Sequence, residues 1–240
     1  KKIFPVFQNR YNKAVKRLKS AIKKKEIGNL RIVNVRVRWC RTQRYYNLSK
    51  WRGTFSHDGG ALTNQGIHHI DVLRYLFGEV KNVNCNMKTL GVKIEVEDTA
   101  MALIEFKNGV VGTLEITTAA RPKDYEASIS VIGSKGLAQI GGLAINKLEI
   151  FSPKPSDTKK FSENIPDAYG FGHFELYKDV ALDLNRKKKF PVSFEDCYKT
   201  IQFLNSFYSS NEKKKTLDVK KVVDSKSLGK KNEKISKLYR

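Results

Sequence analysis

The chain has 240 residues, 40% hydrophobic and 10% aromatic, which is enough apolar material for one large domain or two small ones and excludes a disordered chain. No apolar run approaches the ~18 residues of a membrane helix, and no charged-then-apolar N-terminal stretch resembles a signal peptide. The formal net charge of +22 invites nucleic acid as a partner, but the lysines are spread along the whole chain and no zinc finger, RNP-type motif or helix-turn-helix accompanies them, so a solvated basic surface is expected.

In chain order, Ile3–Phe7 is a short apolar run that reads as a strand. Tyr11, Ala14, Val15, Leu18, Ala21 and Ile22 follow helical spacing up to Lys25, with Gly28 as the stop. Leu30–Cys40 alternates, with Ile32, Val33, Val35, Val37 and Trp39 against Arg31, Asn34, Arg36 and Arg38, as a long strand with one basic face does. Arg41–Gly60 is polar, aromatic and irregular, too long for a mere connection. A helix is expected from about Asn64 to Phe77, ended by Gly78.

Strand patterns follow at Val80–Leu90, Asp98–Phe106, Val110–Thr118, Glu126–Ile132, Leu137–Ile140 and Lys147–Phe151. Turns fall at Asn108-Gly109 and at Gly133-Ser134-Lys135-Gly136, whose glycines match neither a dinucleotide fingerprint nor a phosphate loop. A loop at Ser152–Ala168 leads to helices at Phe171–Arg186 and Phe194–Ser209, and a lysine-rich stretch from Lys213 wraps the surface or stays weakly structured. Helices beside consecutive antiparallel strands predict an α+β fold, an open sheet with helices on one face. Cys40, Cys85 and Cys197 are far apart with no CxxC pair, which disfavours a metal cluster or disulfide framework and points to a reducing cytoplasm.

The stretch Gly59-Gly60-Ala61-Leu62-Thr63-Asn64-Gln65-Gly66-Ile67-His68-His69-Ile70-Asp71 carries the chemistry. Paired glycines let backbone approach a ligand, and Thr63 or Asn64 would cap the following helix. Asn64, His68 and Asp71, at spacings of four and three, share a helix face. A histidine there can act as general acid or base near neutral pH; a core histidine bonded to Asp71 fits the spacing equally well.

This segment resembles the Gly-Gly…Asp-x-x-x-His-x-x-Asp stretch of the Gfo/Idh/MocA oxidoreductases. Gln8-Asn9-Arg10-Tyr11-Asn12, Val131 through Gly136, and Phe174 through Ser209 resemble the family's strand-to-helix junction, sheet hairpin and C-terminal helices. Within the family the likeness is closest to bacterial enzymes that oxidise C3 of UDP-N-acetylglucosaminuronic acid in surface-polysaccharide synthesis, from Phe7–Asn12, Val35–Gln43, Trp51–Thr54 and Ala61–Asp71, with Asn64 where many relatives carry Asp. The resemblance implies NAD as cofactor, a UDP-sugar as substrate and assembly of copies through the sheet face. It implies His68 as the catalytic histidine, supported by Asn64 and Asp71, with His69 a doubtful neighbour. Substrate contacts are expected from Asn9, Arg10, Arg41, Tyr46, Arg52 and Gln65, because guanidinium forks suit carboxylate and phosphate oxygens.

The family's Rossmann domain, with its glycine-rich loop and Glu-Lys-Pro motif, has no counterpart here, and the chain begins at Lys1 without Met. The division expected is 1–10 as the last strand of a missing Rossmann domain, 11–212 as the substrate-binding domain and 213–240 as a basic tail, and such a chain alone is not expected to turn over. The alternative is a non-catalytic sugar-nucleotide-binding or assembly protein on the half-fold; a nucleic-acid binder ranks last.

Overall fold

In the computed structural model, which describes residues 1–221 and 224–239, the alternating sequence from Leu30 to Arg38 forms the central strand β1. Val33, Val35 and Val37 are fully buried and Asn34, Arg36 and Arg38 turn the other way. Ile32, 41% exposed, lies on the face of Asn34 and Arg36, as alternation with the buried Val33 requires. The expected strands follow as β2 (Val80–Lys88), β3 (Thr99–Phe106), β4 (Val111–Thr117), β5 (Glu126–Gly133), β6 (Leu137–Gly141) and β7 (Lys147–Phe151). A short β8 (Leu217–Asp218) completes a sheet of order β7-β6-β5-β1-β4-β3-β2-β8.

The expected run of antiparallel strands holds except at the centre, where β1 and β4 pair in parallel, Val35 opposite Leu114. The chain leaves β1 through the long loop and helices, forms the β2–β3–β4 meander, and returns to β1 from the other side. Leu217–Asp218 of the basic tail joins the β2 edge; residues 222, 223 and 240 of that tail lie outside the described residues.

Helices cover one sheet face. Helix α1 (Lys13–Lys23) buries Ala14, Val15, Leu18 and Ala21, with lysines on its other side. The irregular loop contains a short helix, α2 (Gln43–Asn47). The single helix expected at Asn64–Phe77 is two: α3 (Ala61–Asn64) and α4 (Ile67–Phe77). The break is at Gly66, where a Cβ would sit 2.6 Å from Ile116 Cδ1 and 2.8 Å from the Leu62 carbonyl, so only glycine lets the chain lie this close to the sheet. The N-caps are accordingly Gly60 and Gly66, with no side-chain cap from Thr63 or Asn64.

Beyond the sheet come α5 (Asp157–Lys160), α6 (Gly172–Leu184), α7 (Phe194–Lys213) and α8 (Glu233–Ser236). Helices α1, α4 and α7 share one core with the sheet, through Leu18, Leu73, Phe203 and Phe207 against Phe106, Leu114 and Ile129. Ile3–Phe7, expected as a strand, has no ladder partner among the described residues; Phe4 packs edge-on to Phe190 at 5.2 Å, and Phe7 joins a small second core with Leu176 and Val192. It leads into a 3-10 turn at Gln8–Tyr11 that lies against α4 and α6.

Candidate active site

One cleft gathers the end of β1, the turn at Gln8–Tyr11, the loop after β1, the end of α3 and the start of α4. It encloses 280 Å³ and is lined by Asn9, Arg41, Arg52, Asn64, Gln65 and His68, all expected from the sequence, together with Gln8, Trp39, Tyr45, His69, Ala144, Ala168 and Tyr169. Seven buried side-chain nitrogen and oxygen atoms have no hydrogen-bond partner among the described residues. Six of them belong to this cleft: Gln8 Oε1, Trp39 Nε1, Arg52 Nε, His68 Nδ1 and both ring nitrogens of His69. Buried polar groups normally find partners, so such a concentration marks a place prepared for a polar ligand. A broader hollow of 570 Å³ on the open sheet face, floored by Met101, Leu103 and Thr113, contributes none of these atoms.

His68 stands in the first turn of α4, with Phe7 edge-on to its ring at 6.3 Å. Burial pushes its pKa down to about 4, and the charge of His173 acts in the same direction. His69, fully enclosed and edge-on to Trp39 at 5.6 Å, is pushed down to about 3 by burial, then by His68, with the Gln65 backbone opposing. Both imidazoles are therefore neutral at pH 7, and the positive end of α4 disfavours their charged forms further.

Asn64 is held by its side-chain amide, which donates to Asp58 Oδ1, while its Oδ1 accepts from Gln65 Nε2 at 3.1 Å. Asp58 also accepts from Gly53 N at 2.6 Å, and burial raises its pKa against these two bonds. The two cleft arginines differ. Arg41 is paired with Asp124 at 2.9 Å and lies over Trp39 and Tyr45. Arg52 has no ion pair among the described residues; it is stacked between Tyr45 and Trp51, donates to the Tyr45 hydroxyl and keeps Nε unpartnered.

Three expected site residues stand elsewhere. Arg10, expected to face a ligand, is 8% exposed and bound behind the cleft to Asp71 and Asp196. Asp71, expected to hold either the His68 imidazole or the helix, is engaged in the second way: it accepts from Arg10 and from Thr200 Oγ1 at 3.0 Å and so ties α4 to its neighbours. Tyr46 points its hydroxyl at Thr118 Oγ1, 3.1 Å away, and faces a neighbouring recess. The reason is common to all three: each is on the inward side of its turn, where a distant partner satisfies it. Gln8 and Tyr169 are not expected as site residues from the sequence; Gln8 lies in the Gln8–Asn12 stretch that carries the family resemblance, and Tyr169 has no such signal.

The GFO/IDH/MocA C-terminal domain model matches residues 15–139, and the chain belongs to this family. Among solved structures it is similar to the WlbA dehydrogenase of Bordetella pertussis in complex with NADH and UDP-GlcNAcA, with TM-score 0.84 and 32% identity, covering 89% of this chain and 63% of that one. It is likewise similar to the WlbA dehydrogenase of Chromobacterium violaceum bound to the same two molecules, with TM-score 0.81 and 34% identity, covering 90% of this chain and 62% of that one. Glucose-6-phosphate 3-dehydrogenase of Bacillus subtilis is 26% identical over 236 residues, 90% of this chain and 66% of that protein. The chain thus spans slightly less than two thirds of the length of these relatives.

Proposed function

We propose that this chain is the substrate-binding, histidine-bearing part of a nicotinamide-dependent dehydrogenase that oxidises C3 of a UDP-N-acetylamino sugar, specifically UDP-N-acetylglucosaminuronate, in surface-polysaccharide synthesis. The observation that carries this reading is the cleft that holds six unpartnered buried polar atoms, one of them Nδ1 of the neutral His68 itself. The two WlbA enzymes, solved in complex with NADH and UDP-GlcNAcA, support the choice of sugar nucleotide and cofactor.

His68 would accept the proton of the reacting hydroxyl. Its imidazole is neutral, as a base must be, and anionic groups of a bound sugar nucleotide would raise its low pKa toward the working range. Arg52, preorganised between two aromatic faces and without a direct ion pair among the described residues, would hold the substrate's carboxylate or pyrophosphate. Asn9, Asn64 and Gln65 would orient sugar hydroxyls and the N-acetyl group.

The residues at this cleft fit the reacting end of a nicotinamide cofactor, since orphaned Trp39 Nε1 and Gln8 Oε1 offer a donor and an acceptor beside His68. When bound, that cofactor supplies a hydride acceptor. The described residues hold no glycine-rich strand–turn–helix for its pyrophosphate, so that contact is assigned to protein outside this chain.

A second copy is proposed to cover the sheet face away from the helices, where Ile32, Met101, Leu103, Val111 and Ile132 are 41–64% exposed.

The experiment is a titration of the chain with UDP-N-acetylglucosaminuronate while the histidine ring signals are followed by NMR. The His68 signals are expected to move saturably and those of His57 to stay in place. An unmoved His68 at saturating ligand contradicts the proposal.

A further inference from the structure

Glu97 precedes β3 and is 5% exposed, although it lines neither the cleft nor any ion pair among the described residues. Its Oε1 accepts from Leu62 N at 3.0 Å and from the Tyr208 hydroxyl at 2.8 Å, and its backbone carbonyl accepts from Ala61 N at 3.0 Å. The Tyr208 oxygen in turn accepts from Gly60 N at 3.2 Å and lies 2.8 Å from Thr63 Oγ1. A Cβ on Gly60 would collide with the Glu97 carboxylate, so the glycine exists at this position to admit it. The backbone N–H groups of Gly60 and Leu62 and the side chain of Thr63 are thus tied to one carboxyl–phenol pair, and Ala61 N to the main chain of the same Glu97. The next two residues are Asn64 and Gln65 of the cleft.

We propose that Glu97, acting through Tyr208 and the Gly60–Thr63 turn, is the positioning residue that sets where Asn64 and Gln65 stand in the cleft. Its functional meaning rests on the reading of the cleft given above; its structural content does not.

A carboxyl is costly in this place. Glu97 Oε2 has no partner, and burial pushes the pKa up to about 7 against the bonds from Leu62 and Tyr208, with Asp58 adding to the rise. The groups that face it are Asp58 before α3, Tyr208 and Glu212 on α7, and Cys85 and Lys88 on β2. Above neutrality the ionised carboxylate makes charge-assisted bonds to Leu62 N and Tyr208; below it, protonation weakens both, and the turn is held less firmly. An amide at this position would keep an acceptor oxygen and lose the charge.

The test compares parent chain, Glu97→Gln, Tyr208→Phe and Asp58→Asn by ¹H–¹⁵N NMR across neutral pH. In the parent, the Leu62 amide and the Asn64 and Gln65 side-chain amides are expected to titrate together with a midpoint near 7, as Glu97 does. Glu97→Gln abolishes that transition and fixes all three near their low-pH positions, whereas Asp58→Asn retains it with the midpoint moved to lower pH. Tyr208→Phe, which leaves the carboxylate in place, still displaces Asn64 and Gln65, and this arm decides the matter if Glu97→Gln does not fold. UDP-N-acetylglucosaminuronate affinity on the same samples is expected to fall roughly five-fold in Glu97→Gln at pH 8, the size of one hydrogen bond. Asn64 and Gln65 signals indifferent to pH and to both variants would overturn the proposal. A parent that shows the coupled titration but binds no sugar nucleotide would instead sink the functional reading and leave the positioning role standing.

Discussion

Arg10 and Asp71 face each other as a bidentate pair, Nε to Oδ2 and Nη2 to Oδ1, both at 2.6 Å, with side chains 8% and 0% exposed. Arg10 continues to Asp196 at 2.7 Å, and Asp196 also accepts from Arg74, so one buried network joins the Gln8–Tyr11 turn, α4 and α7. Burial disfavours the Arg10 charge, but Asp71 and Asp196 more than offset it and raise its pKa. The network clamps two walls of the cleft, because Gln8 and Asn9 precede Arg10 and His68 lies one turn before Asp71.

Removing one member of such a pair strands the other charge in the interior. Arg10→Ala is therefore expected to destabilise the fold by about 3–5 kcal/mol. Arg10→Lys should recover little of this, since an ammonium cannot span both Asp71 oxygens and reach Asp196. Denaturant melts of the three proteins check it; a wild-type melt for Arg10→Ala would mean the network contributes nothing to stability.

The two histidines make stability acid-sensitive. Their folded pKa values, about 4 and about 3, lie below the unfolded value of 6.5, so the unfolded chain binds more protons as pH falls. Their contribution is fully present above pH 6.5 and is lost toward pH 3, with a slope of roughly 1.4 kcal/mol per pH unit for each residue where only its unfolded form is protonated. His69→Phe, which keeps an aromatic ring beside Trp39, should flatten the profile between pH 6 and 4 by one such increment. An unchanged slope in that variant would contradict the burial assigned to His69.

In nicotinamide-loaded enzyme, His68→Ala should lower turnover by roughly 10²–10⁴-fold, the range for a positioned acid or base. His69→Ala, which removes a residue whose ring packs on Trp39, should act mainly through stability and the affinity for substrate. Steady-state kinetics on the two variants separate these outcomes, and the reverse order of kcat losses would assign the chemistry to His69.

Leu103, 64% exposed on β3, lies on the same sheet face as Met101 and Val111. Placing a charge there should weaken self-association by about 1.5–3 kcal/mol, a change of roughly 10–150-fold. Light scattering of Leu103→Asp against the parent tests it. A parent that is monomeric at high concentration would remove the proposed partner.

Much of the scaffold was legible because burial imprints a period of two. Val33, Val35 and Val37 alternate with polar residues, and the six strands after α4 reproduce in the structure to within two residues at each end. Alternation does not identify a partner, however, so the parallel pairing of β1 with β4 could not be read from it. Gly66 looked like a tolerated helix residue because the Ile116 side chain that demands it is distant in sequence. The same distance hid Arg10, whose partners are 61 and 186 residues away, and it hid Glu97, which reads as part of a charged turn until Tyr208, 111 residues on, is placed against it. Of the three arginines that suited an anionic ligand equally well in sequence, only Arg52 makes no direct ion pair among the described residues.

That difference sets the measurement that bears most directly on the account: calorimetric titration of the parent and Arg52→Ala with UDP-N-acetylglucosaminuronate and with UDP-N-acetylglucosamine. The two sugars differ only in the C6 carboxylate, and a charge-assisted contact to it is worth about 1.5–3 kcal/mol. The parent is expected to bind the uronate roughly 10–150-fold more tightly than the neutral sugar, and Arg52→Ala to bind the two alike. Equal affinity of the parent for both, or a preference that survives Arg52→Ala, would contradict a cleft built around Arg52 and His68 for an acidic sugar nucleotide.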